Sequence, residues 1–229
     1  MNIDTIQIWH GNIDIKDAHY QYYWHILSAA EQTHAEKIKN VLLRKRYVEV
    51  HGRLRNVLAQ TLNEPPEKIN IKKAEHGKPY LADTPDIVFS LSHSASAVVI
   101  AVGRNCRLGV DIEVCKFRAS LAMLVDKCFS EEEIEYWNKL TDTQKTTEFY
   151  RFWTRKEAFV KATGRGIALG LNQCVINPEK PVEFLRVPVT YGQASLWHVL
   201  DMDLGQGTCS ALVTDKAVVE VKLMHLKSD

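Results

Sequence analysis

The sequence predicts an α+β fold in which one arrangement of elements occurs roughly twice. Strand-like and helix-like stretches run in the order strand, helix, strands, then strand, helices, strands, and do not alternate one for one. Each of two long helical stretches, Ser28 to about Gln60 and Thr143 to Ala162, leads on to further strands. At 229 residues the chain holds one large domain or two modest ones. The break is expected near Gly103 to Arg107, giving an N-terminal α+β half over 1–105 and a C-terminal half over 106–229. There is no residue-level repeat and no low-complexity linker.

In order along the chain, Ile3, Thr5, Gln7 and Trp9 alternate against Asp4, Ile6 and Ile8, which reads as an opening strand. Ser28, with Glu31 three residues on, has the form of a capping box. Val41, Leu42, Tyr47, Val48, Leu54, Val57 and Leu58 then recur at helical spacing until Asn63 to Pro66 stops the pattern. A short strand is expected around Ile69 to Ile71, followed by a turn over Glu75 to Tyr80. Phe89 to Leu91 and Ala97 to Val102 read as strands joined by the polar run Ser92 to Ser96. After a turn at Gly103 to Asn105, Leu108 to Val114 is a strand. Leu121 to Cys128 is helical, and Ser130 with Glu131, Glu132 and Glu133 opens another helix, since acids suit the first turn. Gly164 closes the helix that begins near Thr143. Val175, Ser195 to Leu200 and Cys209 to Val213 read as strands, with turns at Asn177-Pro178 and Gly205 to Gly207.

Composition narrows the class. An apolar fraction of 45% and a charged fraction of 25% are ordinary for a soluble globular protein. A net charge of +1 gives no global basic field, so nucleic-acid binding has no compositional support. The longest apolar run, Ala97 to Val102, is too short to cross a bilayer. The five cysteines form no C-x-x-C pair. Their odd number, with no signal-peptide pattern after Met1, leads us to expect reduced thiols and a cytoplasmic protein.

Three clusters could carry chemistry. In Gly109-Val110-Asp111-Ile112-Glu113, residues two apart on a strand share a side, so Asp111 and Glu113 present paired carboxylates. Their repulsion is relieved by a cation, and magnesium combines a few carboxylates with phosphate oxygens and water. Taken alone, the pair fits a solvated edge strand better than a site. Trp153, Glu157 and Lys161 lie on one helical stripe, which alone reads as a surface Glu–Lys pair. Phe89-Ser90-Leu91-Ser92-His93-Ser94 puts a histidine between hydroxyls, suited to phosphate, yet without a G-x-S-x-G elbow for a hydrolase. No Walker or dinucleotide glycine loop occurs, and Gly164-Arg165-Gly166 reads first as a helix stop.

Gly77-Lys78-Pro79, the Phe89–Ser94 run, Gly109–Glu113, Phe152-Trp153-Thr154-Arg155-Lys156-Glu157-Ala158-Phe159-Val160-Lys161 and Gly164-Arg165-Gly166, in this order and spacing, resemble the 4′-phosphopantetheinyl transferases of the surfactin-synthetase-activating type. The resemblance runs from about Ser28 to Leu171. It implies two similar halves related by a pseudo-twofold axis, with coenzyme A in the cleft between them. It implies that Asp111, Glu113 and Glu157 bind Mg2+ and that Lys161 contacts the pyrophosphate. Ser92 and His93 would touch the coenzyme's phosphates, Lys78 would lie beside the adenine and ribose, and Arg46, supported by Arg55, would meet the 3′-phosphate. The implied enzyme is a holo-carrier-protein synthase. A serine of an apo acyl, aryl or peptidyl carrier protein attacks coenzyme A, 3′,5′-ADP leaves, and Glu157 or a metal-held water takes the proton, with Asp111 and Lys161 as catalytic partners. A monomer suffices.

The pattern departs at Ser28-Ala29-Ala30-Glu31-Gln32-Thr33-His34, where the family carries Ser-Pro-Glu-Lys. Glu31 and His34 stand at family lysine positions; of Lys37, Lys39, Arg44 and Lys45 some could substitute, but at least two read better as a solvated basic helix face. For the carrier, Phe117, Leu121 and Leu124 after Glu113 could form an apolar groove flanked by Lys116 and Arg118, and the leucines read equally well as core. Two other readings keep the same residues: another magnesium-dependent phosphotransferase, and a non-catalytic binder of coenzyme A or a carrier protein.

Overall fold

The computed structural model describes residues 5–15, 17–166, 170–180, 182–217 and 220–226. The first half contains β1 (Thr5–Asn12), α1 (Asp17–Ile26), α2 (Ala29–Lys37), α3 (Val41–Leu62), β2 (Ile71–Lys73), β3 (Pro79–Leu81), β4 (Ile87–Ser94) and β5 (Ala97–Arg104). The second contains β6 (Leu108–Val114), α4 (Leu121–Cys128), α5 (Glu131–Asn138), α6 (Asp142–Thr163), β7 (Val175–Ile176), β8 (Phe184–Arg186), β9 (His198–Asp201) and β10 (Thr208–Thr214), and β11 (Glu220–His225) follows.

The expected duplication is present as a repeat of four elements. β1, α3, β4 and β5 are matched in order by β6, α6, β9 and β10. The strands hydrogen-bond as β1-β5-β4 in one sheet and β6-β10-β9 in the other, antiparallel throughout. Helices α3 and α6 are each 22 residues long. β11 breaks the symmetry, returning to the first sheet to pair parallel with β1.

Burial explains why the strands read as they do. Along β5, Ile100 and Val102 pack with Leu54, Val57 and Leu58 of α3, while Val99 and Ala101 pack with Leu108, Val110 and Ile112 of β6. Covered on both faces, β5 has an unbroken apolar run and no alternation. The interface between the halves is therefore a hydrophobic core in itself. A second core lies on the far side of β6 and β10, where Phe149, Phe152 and Phe159 of α6 meet Trp197 and Val199.

Several expectations shift. Ser28 and Glu31 form the capping box, but the long helical stretch is two helices, because the Asn40 side chain accepts from Leu43 N–H and starts α3 afresh. α1, rich in tyrosine and lacking a clear helical period, was not expected; it is held where Tyr23 lies on Gly52, a position where an added Cβ would overlap the ring. Ser92, His93 and Ser94 are not loop residues. Their pairing with Val99, Val98 and Ala97 extends β4 to Ser94, and the turn is left to Ala95-Ser96, with Ala95 at φ 51°. Ser195 and Leu196 lie in a 3-10 turn, so that strand begins at His198. Ile3 and Asp4, where the opening strand was expected to begin, lie outside the described residues.

One close approach positions everything that follows. At Gly109 the β6 backbone lies directly on the α6 backbone, and a Cβ there would collide with the Ala158 carbonyl and the Ala162 nitrogen. Both obstacles are main chain, so neither can rotate aside. Gly109→Ala should therefore lower the unfolding free energy by about 2 kcal/mol or more, measured by urea denaturation; an unchanged midpoint would show that strand and helix can separate freely.

Candidate active site

The glycine contact brings the acidic face of β6 against the C-terminal half of α6. Asp111 is buried, and its Oδ1 accepts from Lys161 Nζ at 2.7 Å and from Ser92 Oγ at 2.6 Å. Its Oδ2 is also buried and accepts no hydrogen bond among the described residues. Glu113, two residues on, accepts from Ser94 Oγ at 2.6 Å. Ser90 Oγ and Ser94 Oγ in turn accept from the N–H groups of Val110 and Val114. From Ser90 on, every second residue of β4 is thus a serine that grips β6, and Ser92 and Ser94 align its two acids across the junction of the halves.

Glu157 stands half-buried on α6, one turn before Lys161. Burial raises its carboxyl above the usual range, the charges of Asp111 and Glu113 raise it further, and Lys161 partly offsets them. Glu113 is raised as well, by burial and by Asp111, against the pull of the Ser94 bond, Arg118 and Lys161. The three acids therefore feel one another. Among the described residues, no three His, Cys, Asp or Glu side chains close around a common point. The Lys161 ammonium sits instead at Asp111 as the local counter-charge.

Glu157, Val160 and Lys161 wall a cavity of about 330 Å3 together with Lys78, Phe89 and Leu91. His93 lies on the face of β4 that carries Phe89 and Leu91; partial burial, and then the charges of Arg46, His51 and Lys161, hold its imidazole below the ordinary value. Arg46 Nε is buried and donates to nothing among the described residues.

The remaining expected residues are placed differently. The stem of Lys78 lines the cavity, but its ammonium donates to the carbonyls of Leu108 at 3.1 Å and Ala162 at 2.9 Å. Burial lowers it to about 8. Its carbons lie over Gly164, whose φ of 74° ends α6 and whose missing side chain leaves room for them. Arg55 is no phosphate ligand: fully buried, it donates to Glu31 at 2.7 Å and to the carbonyls of Pro66 and Ile69. Glu31 has the acid's role in that pair. Burial alone would raise its carboxyl, but the His51 contact, the Ser28 N–H and the Arg55 charge hold it at about 2. His34 and His51 flank the Tyr47 ring, with centroids at 4.9 and 4.0 Å. The expected carrier groove changes too. Leu121 is core and Leu124 packs against it, which leaves Phe117 and Met123 as the large exposed apolar side chains there.

The sequence presents Ser94 only as a hydroxyl beside His93, although its alternation with Ser90 and Ser92 matches that of Asp111 and Glu113. It also gave no role to Lys156, which is completely buried. Lys156 Nζ reaches Glu133 at 2.7 Å and the carbonyls of Cys174 and Leu171, while Glu133 accepts from the N–H groups of Ser130 and Ile176. Arg155 ties α6 to β9 through both oxygens of Asp201.

Acids and a lysine converge where the two like halves meet, which suits a charged, phosphate-bearing substrate. Comparison with known proteins specifies it. Residues 107–208 match the 4′-phosphopantetheinyl transferase superfamily, and residues 15–105 match the 4′-phosphopantetheinyl transferase N-terminal family. The chain is 30% identical over 203 residues to the 4′-phosphopantetheinyl transferase HetI of Nostoc sp. strain PCC 7120, covering 87% of this chain and 83% of that one. It is 33% identical over 119 residues to the 4′-phosphopantetheinyl transferase of Bacillus subtilis, covering 52% of each. The L-aminoadipate-semialdehyde dehydrogenase-phosphopantetheinyl transferase of Xenopus laevis is 31% identical over 155 residues, 61% of this chain and 48% of that one. The chain belongs to the 4′-phosphopantetheinyl transferase superfamily. Its reaction is transfer of phosphopantetheine from coenzyme A to a carrier-protein serine.

The two lysines of the α6 segment should separate experimentally. Lys156→Met leaves Glu133 buried without its partner and should cost about 3–5 kcal/mol of stability. Lys161→Met should cost clearly less in urea denaturation, because its head meets solvent and Asp111 keeps the Ser92 bond; equal losses would refute this division.

Proposed function

We propose that this chain loads apo acyl, aryl or peptidyl carrier proteins in a magnesium-dependent reaction, as a cytoplasmic monomer whose halves, 1–105 and 106–229, together form the coenzyme A cleft. The observation that carries the metal reading is the buried, unpartnered Oδ2 of Asp111 beside two acids whose carboxyls are raised. An oxygen-only donor set of Asp111, Glu113 and Glu157 suits a hard cation that also takes phosphate oxygens and water, so it needs no closed protein cage. When bound, the magnesium would polarise the pyrophosphate and offset its charge.

The protein's own groups account for the rest. Lys161 moves its ammonium from Asp111 to the pyrophosphate and balances charge as the bond to 3′,5′-ADP breaks. His93 and Arg46 hold the coenzyme's outer phosphate, Arg46 through its unengaged Nε–H. Ser92 and Ser94 act through the acids, fixing the carboxylates they donate to. Glu157 takes the proton from the attacking serine, a role helped by its raised carboxyl, which is a stronger base than a free glutamate. Positioning supplies much of the rate. The carrier docks beside Glu113, with Phe117 and Met123 meeting its apolar helix face and Lys116 and Arg118 its acidic surface.

The test is to incubate protein, coenzyme A, magnesium and an apo carrier, then weigh the carrier. A gain of one phosphopantetheine that a chelator abolishes is expected; coenzyme A binding without that gain would favour the non-catalytic reading. Asp111→Asn and Glu157→Gln should each lower turnover on the order of 100-fold or more while the chain still folds, as circular dichroism would show. Near-normal turnover in either would overturn the metal assignment. Lys116→Glu with Arg118→Glu should raise KM for the carrier and leave that for coenzyme A unchanged.

A further inference from the structure

Two thiols face each other at the end of the acidic strand. Cys115 directly follows β6, and its N–H bonds the Gly207 carbonyl at 2.8 Å, so it continues the ladder with β10. Cys209 lies on β10 directly opposite Glu113. Residues opposite in an antiparallel pair share a face, and so do residues two apart on one strand. Asp111, Glu113, Cys115 and Cys209 therefore lie on one side of the sheet, the side that α6 covers. The two Sγ atoms are 2.8 Å apart, and a disulfide bond of about 2.05 Å needs only a small further approach.

The pair stands out among the cysteines. All five are free thiols, and no other two of them touch among the described residues. Cys174 is buried and donates to the Leu171 carbonyl. Cys115 is half-buried, so a small reagent can reach it. Cys209 lines a separate cavity of about 410 Å3 with Thr147, Arg151, Thr154 and Asp201. The site already described does not use either thiol.

We propose that Cys115 and Cys209 are a redox-active dithiol, closed to an intramolecular disulfide by a peroxide and reopened by a small thiol, and that closure draws the end of β6 away from the position in which Glu113 serves transfer. In the first step hydrogen peroxide oxidises Cys115 to the sulfenic acid and one water leaves. The Cys209 sulfur then attacks that sulfur, the S–O bond breaks, and the hydroxyl departs with the Cys209 proton as a second water. Two thiols and one peroxide become one disulfide and two waters. Reduction returns both hydrogens from two thiols of the reductant, which is itself oxidised to a disulfide. Glu113 is coupled because it lies opposite Cys209 and two residues from Cys115, and it is tied to the first half through the Ser94 bond. The dithiol stands on geometry alone, whereas its effect on turnover rests on the reading of Glu113 given above.

The experiment treats the full chain with hydrogen peroxide, alkylates the remaining thiols and maps peptides without reductant. A cross-linked Cys115–Cys209 peptide is expected in the wild type and in neither Cys115→Ser nor Cys209→Ser. In parallel, carrier loading should fall several-fold in the oxidised wild type, recover with dithiothreitol, and persist in peroxide-treated Cys115→Ser. Absence of the cross-linked peptide, with other cysteines oxidised instead, overturns the dithiol. A fully cross-linked protein with undiminished loading overturns the coupling to Glu113. Reduced wild type that loads no carrier at all would overturn the functional reading, while peptide mapping still decides the dithiol.

Discussion

One buried carboxylate oxygen takes hydrogen bonds from both halves of this enzyme. Oδ1 of Asp111 takes one short hydrogen bond from Ser92 in the first half and another from Lys161 at the end of α6. A buried carboxylate is costly unless donors and positive charge surround it. Here each half supplies part of what the charge requires, so the site exists only where the halves are docked. The same carboxylate keeps its second oxygen uncommitted.

Much of this was legible in the sequence, for identifiable reasons. The Gly109–Glu113 strand, the capped α5 and the α6 helix with its Gly164 stop all carry local signals: alternation, first-turn acids and a residue able to adopt positive φ. The three acids were found through their spacing and the family resemblance. What escaped was determined by partners distant in sequence. Ser92 to Ser94 look like a turn until β5 pairs with them. α1 has little helical period because its tyrosines and tryptophan serve several neighbours, and β11 is a strand because β1 offers it an edge.

The same distinction explains which cations changed role. Lys78, Arg55 and Lys156 are as positive as Lys161 and Arg46, but burial commits the first three to backbone carbonyls and acids. Burial of a cation requires full satisfaction by neighbours, and a group so satisfied has little left for a ligand. Glu31 illustrates the reverse. Standing where the family resemblance led us to expect a lysine, it works inward, capping α2 and neutralising Arg55. Arg46 and His51, by contrast, lie close enough to His93 for their charges to act on its imidazole.

The return of β11 to the first sheet has a consequence for how the molecule forms. β1 has β5 on one side from early in synthesis, but its other edge stays open until residues 220–225 have emerged from the ribosome. An exposed strand edge is adhesive, and so long a loop closes slowly. During translation the first half must therefore wait, half-finished and in need of protection, for a strand encoded more than a domain's length downstream.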